Sequence, residues 1–87
     1  MNDLNLTVRN RQGVLFTGEV KAITSFNDKG VFDVLPEHEN FISVIKKKVI
    51  IRKTKNEKQE IPLDNGVLKV YKNVVNIYLV SKTESLN

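Results

Sequence analysis

The chain is 87 residues long, 40% hydrophobic and 28% charged, which makes one small domain with too much apolar content for intrinsic disorder. It has no cysteine, no tryptophan and a single histidine, so a disulfide framework, a thiolate metal site and a cysteine nucleophile are excluded. The net charge of +4 is local: residues 46 to 58 hold seven basic side chains (Lys46, Lys47, Lys48, Arg52, Lys53, Lys55 and Lys58) against one acid, Glu57.

Apolar residues alternate at period two along most of the chain, which predicts strands. The opening residues lack the basic start and apolar run of a secretory signal, and Leu4, Leu6 and Val8 already alternate with polar neighbours. Gln12-Gly13 reads as a turn into Val14-Leu15-Phe16. From Glu19 to Phe26 the apolar parity slips between Ala22 and Ile23, which predicts a β-bulge. Asn27-Asp28-Lys29-Gly30 is a turn, and Phe32 and Val34 follow on one face until Pro36, which cannot donate to a ladder.

Phe41 to Ile45 predicts a further strand, and Val49 and Ile51 another. The chain turns over residues 54–57 and returns through Ile61 and Leu63. Asp64-Asn65-Gly66 reads as a tight hairpin, with Leu68 and Val70 beyond it. After a turn at Lys72-Asn73, Val75, Ile77 and Leu79 alternate with Asn76 and Tyr78. No segment has helical spacing, and none approaches the ~20 apolar residues of a membrane helix. The expectation is an all-β fold, an antiparallel β-sandwich of two sheets built from about eight to ten short strands. The domain would occupy residues 1–80, followed by a polar tail over 81–87.

Candidate chemistry is sparse. No nucleophile motif surrounds the serines, and the four glycines are scattered through turns rather than gathered into a phosphate loop. Glu37-His38-Glu39 is the one cluster of metal-ligand type, but neighbours in extended chain point alternately, and an exposed polar loop is the simpler expectation. No catalytic residue, metal or cofactor is predicted. The basic segment invites a single-stranded nucleic-acid reading, yet no aromatic residue lies within it to stack a base. Lysines guarding a strand edge explain it more simply.

The turn motifs, taken in order, carry a resemblance. Gln12-Gly13-Val14-Leu15-Phe16 with Gly18-Glu19-Val20 is similar to the "pEGvvFeGeV" opening of the ATP synthase epsilon subunit family, called delta in mitochondria. The segment from Gly30 through Phe32, Val34, Leu35, Pro36 and His38 resembles that family's "G-x-F-G-V-L-P-G-H-A-P". Gly66-Val67-Leu68-Lys69-Val70, followed by Asn73 and Ile77, resembles "GGFLEV-x-x-N-x-V-T-V-L". The match runs from about Leu4 to Val80.

This resemblance implies a two-sheet β-sandwich that grips the foot of the gamma subunit, rests on the ring of c subunits and helps couple ion transport to rotation without bond chemistry. It implies a peripheral location on the cytoplasmic side of the cell membrane. The contact with gamma or the c-ring is expected at Leu35, Pro36, Glu37 and His38. Asp33 and Glu37 replace family glycines, and Asp33 is the one expected to tolerate a left-handed backbone. Glu39-Asn40 replaces Ala-Pro. Family members continue into a C-terminal helical hairpin with inhibitory and, in some bacteria, ATP-binding roles. This sequence stops soon after the last strand, so neither role is expected of it. The basic segment is expected to meet an acidic patch on a partner or an anionic lipid surface.

Overall fold

A computed structural model of the protein describes residues 3–80. The described chain forms seven strands: β1 (Leu4–Asn10), β2 (Gly13–Val20), β3 (Ala22–Asn27), β4 (Gly30–Val34), β5 (Phe41–Arg52), β6 (Lys58–Tyr71) and β7 (Val74–Val80). The all-β expectation holds. Among the described residues no helix is long and apolar enough to cross a membrane. The predicted polar tail over 81–87 lies outside the described residues.

Period-two alternation translates directly into burial. Leu4, Leu6 and Val8 are buried while Asn5 and Arg9 are exposed, and Val75, Ile77 and Leu79 are buried between exposed Asn76 and Tyr78. The strands join in one continuous mixed sheet of seven in the order β2-β1-β7-β6-β5-β3-β4, where two sheets were expected. Every pair is antiparallel except β1 with β7, which run parallel with Val8 beside Ile77.

Three local expectations need correction. The parity slip near Ala22 is a change of ladder, not a bulge. β2 ends at Val20, opposite Leu4, and β3 begins at Ala22, opposite Arg52. The Lys21 N–H donates to the Arg52 carbonyl at 2.8 Å between them. Second, residues 41–45 and 49–51 belong to one strand. Third, Asp64-Asn65-Gly66 is not a hairpin but the middle of β6. Lys46 pairs with Asn65 and Lys47 with Leu63, so Asp64 is the additional residue of a bulge. Merging these segments reduces the strand number to seven.

The bulges decide the architecture. Opposite β3, Thr24 pairs with Ile50 and Phe26 with Lys46, so β5 carries extra residues at the level where β6 holds Asp64. Lys47 takes a left-handed φ of 76°. The buried Ser25 hydroxyl donates to the Lys48 carbonyl at 2.9 Å, satisfying a group that the bulge takes out of the ladder. Beyond this joint the partners change. The first half of β5 pairs with the second half of β6, which continues to β7, β1 and β2; the second half of β5 pairs with the first half of β6 on one side and β3 on the other.

Fourteen apolar side chains drawn from all seven strands form one buried cluster, among them Leu6, Val20, Val34, Ile51 and Ile77. Among the described residues no helix covers them, so the sheet bends at the bulges and closes over its own inner face. Phe16, Phe32, Phe41, Ile61 and Leu63 pack around the margin. Burial of each aliphatic side chain in such a core is worth about 1.5–3 kcal/mol relative to exposure.

Candidate partner-docking surface

The loop between β4 and β5 contains the predicted contact residues. Leu35 is 52% exposed, an apolar side chain turned to solvent at a strand end. Pro36 is half-buried and marks the limit of β4, which pairs no further than Val34. The His38 N–H donates to the Leu35 carbonyl at 3.1 Å, closing a turn around Pro36 and Glu37. The left-handed residue of the loop is Glu37, with φ 68°, and not Asp33. Asp33 lies in regular strand opposite Thr24, whose hydroxyl donates to its carboxylate.

Two asparagines tie this loop to the turn between β6 and β7. The Glu37 N–H donates to Asn73 Oδ1 at 2.8 Å, and Asn73 Nδ2 donates to Glu37 Oε2 at 3.2 Å. The Lys72 N–H donates to Asn40 Oδ1 at 2.6 Å. The Asn73 carbonyl accepts the Asn5 N–H at 2.8 Å, which anchors the turn to β1. His38 packs against Phe41 with ring centroids 5.1 Å apart, and Phe41 meets Phe32 edge-on at 5.9 Å. The loop is therefore a shaped surface. Its exposed residues from Glu37 to Asn40, with Lys72 and Asn73, line a shallow depression. No group of three or more His, Asp or Glu side chains among the described residues is placed to hold a metal ion.

Sequence reasoning missed Asn40 and Asn73 as supports, since an asparagine in a turn is common and nothing local shows its distant partner. It also missed an apolar stripe on the outer face of the sheet. Ile42 and Val44 on β5, Val67 on β6 and Tyr78 on β7 are 43–67% exposed, and register places Val44 beside Val67 and Val67 beside Tyr78. Tyr71 and Val74, also exposed and paired, extend it towards the Lys72-Asn73 turn. A readable signal existed. These strands are apolar on both faces, whereas a solvated antiparallel face normally reads polar.

Five of the seven basic residues have individual partners. Lys46 reaches Asp28 at 3.1 Å, and Glu60 receives Lys48 at 3.3 Å and Lys58 at 4.0 Å. Lys47 stands over the Phe26 ring at 5.4 Å and Lys53 over Phe16 at 5.3 Å, so aromatic residues distant in sequence lie under the basic segment after all. Both rings are half-buried and are covered by lysine. Arg52 and Lys55 are exposed at the 53–57 turn, which the Thr54 hydroxyl closes by accepting the Asn56 and Glu57 N–H groups. The 12 residues of β5 separate this turn from the 35–40 loop, up to about 40 Å at strand rise.

Comparison with known proteins agrees with this architecture. The family described as "ATP synthase, Delta/Epsilon chain, beta-sandwich domain" matches residues 3–84. Proteins named ATP synthase epsilon chain are similar to it. The one from Helicobacter pylori is 35% identical over 74 residues, covering 85% of this chain and 60% of that protein. The one from Campylobacter jejuni is 39% identical over 72 residues, covering 80% and 56%. The Nitratiruptor protein is 34% identical over 74 residues, covering 84% and 57%. The chain thus spans 56–60% of the length of these curated relatives.

Among solved structures, a chain of the Euglena gracilis mitochondrial ATP synthase superposes with a TM-score of 0.85 at 21% identity, covering 93% of this chain and 52% of that one. A chain of the Tetrahymena thermophila mitochondrial ATP synthase, solved as central stalk and c-ring, gives 0.77 at 15% identity, covering 90% and 63%. At these identities the likeness is one of fold. The family match spans every described strand, and with it the chain belongs to the ATP synthase delta/epsilon family, as its β-sandwich domain.

Proposed function

We propose that the protein acts as the β-sandwich part of an epsilon-type central-stalk subunit of a rotary ATP synthase. It docks the gamma subunit and the c-ring through Leu35, Pro36, Glu37 and His38. Its role is mechanical, coupling ion transport to rotation without bond chemistry, at the cytoplasmic side of the cell membrane. The observation that carries this reading is the 35–40 loop: hydrogen bonds to a neighbouring turn hold it in one shape while it presents an exposed leucine. A preorganised, partly apolar surface suits a protein partner, because little ordering entropy is lost on docking. The exposed stripe from Ile42 to Tyr78 favours a protein partner over an anionic polymer for the same chemical reason. The likeness to proteins named ATP synthase epsilon chain supports looking for that partner within a rotary ATP synthase.

Co-purification tests the proposal. The tagged chain, expressed in its source cell and isolated in mild detergent, is expected to bring down gamma together with alpha, beta and c subunits. Recovery of RNA or ribosomal proteins, lost at moderate salt and without gamma, would overturn it.

A further inference from the structure

Two residues at the docking end take left-handed backbone conformations, Glu37 at φ 68° and Lys72 at φ 56°. L-residues other than asparagine and aspartate rarely visit this region. Each is held by an asparagine of the opposite loop. Asn73 accepts the Glu37 N–H through Oδ1 and donates through Nδ2 to the Glu37 carboxylate, while Asn40 accepts the Lys72 N–H. The Asn73 backbone is itself bonded to Asn5 on β1.

We propose that Asn73 is a positioning residue for docking. It touches no partner; it holds Glu37 left-handed so that Leu35 and His38 are presented in a single geometry. The inference rests on the docking role proposed above. Without the clamp, a glutamate at this position occupies the left-handed region as a minor fraction of its conformers. A partner that needs this shape then binds more weakly in proportion to that fraction. Glycine visits positive and negative φ about equally. The clamp therefore matters with glutamate at position 37 and matters little with glycine there.

A double-mutant cycle on the 87-residue chain tests this. The probe is the gamma–c-ring complex of the source organism stripped of its own epsilon chain, titrated by calorimetry. Asn73→Ala is expected to weaken binding about tenfold in the native sequence and by no more than about twofold in a Glu37→Gly background. Amide relaxation should show residues 35–40 more mobile in Asn73→Ala alone. Equal losses in both backgrounds would make Asn73 a contact or a general stabiliser and overturn the positioning role. Native-like binding by Asn73→Ala, with the native chain binding normally, would overturn that role alone. Failure of the native chain to bind would overturn the docking function and the inference with it.

Discussion

Gly66 lies directly against the backbone of Tyr78. A Cβ placed on Gly66 would meet the Tyr78 carbonyl oxygen at 2.8 Å, Leu63 Cδ1 at 3.1 Å and Ile45 Cγ1 at 3.3 Å. The first of these atoms belongs to β7, paired with β6 at this level, so it cannot yield as a flexible side chain would. Gly66→Ala is therefore expected to destabilise the fold by about 1–3 kcal/mol. In urea the midpoint should fall with an unchanged slope. A change within about 0.5 kcal/mol would show that the sheet relaxes around the methyl group.

The Ser25 hydroxyl makes a comparable prediction for the other side of the joint. It is buried and donates to the Lys48 carbonyl at 2.9 Å. Ser25→Ala leaves that carbonyl without its side-chain donor in a water-poor site, at a cost of about 1–3 kcal/mol. Thr7→Ala is the control, since Thr7 and Thr17 share an exposed hydroxyl contact of 3.3 Å and its loss should change stability by less than about 0.5 kcal/mol. Equal losses for the two variants, measured by urea unfolding, would remove the special role of Ser25.

Gly66 also shows why the sequence could be read only so far. Asp64-Asn65-Gly66 has hairpin chemistry, in which glycine is the residue expected to turn the chain. In the structure it is the residue that makes room for Tyr78, a constraint set by a strand more than ten residues away. Alternation within each strand was legible because it reflects burial on one face, as at Val75, Ile77 and Leu79. The change of ladder at Lys21 and the pairing of Lys47 with Leu63 were not, because parity records a slip without naming the strand that causes it. The 35–40 loop is legible through its motif residues Leu35, Pro36 and His38. Its clamp, Glu37 with Asn73, spans 36 residues and leaves no local trace.

The basic segment yields a salt-dependent prediction. Lys46, Lys48 and Lys58 are paired at the surface with Asp28 and Glu60, and where those pairs persist Lys47, Arg52, Lys53 and Lys55 are left for phosphates. Seven contacts to a single strand would give a log–log salt slope of about −4 to −5, and four no steeper than about −3. Fluorescence anisotropy with a labelled single-stranded oligonucleotide should find weak binding with the shallower slope, lost near ~0.15 M salt. A slope steeper than about −4 would mean that the acid partners release their lysines and would move the functional surface to this segment. Flotation with anionic vesicles at low salt tests the lipid alternative in the same range; absence of the chain from the vesicle fraction removes it.

The 35–40 loop, proposed as the contact, separates two kinds of side chain. Leu35 is 52% exposed, so Leu35→Ala should alter stability by less than about 0.5 kcal/mol. As an apolar anchor at the centre of a docked interface, the same side chain should be worth about 2 kcal/mol of binding or more, a loss beyond tenfold in affinity. His38 differs because it packs on Phe41 at 5.1 Å and lies with Nδ1 2.9 Å from the Glu39 carbonyl oxygen. His38→Ala should lower both the melting temperature and the affinity. Thermal melts and titration against the epsilon-depleted gamma–c-ring complex read the two effects separately. Leu35→Ala binding as tightly as the native chain would exclude the loop tip from the interface, leaving the stripe through Val44, Val67 and Tyr78 as the surface to mutate next.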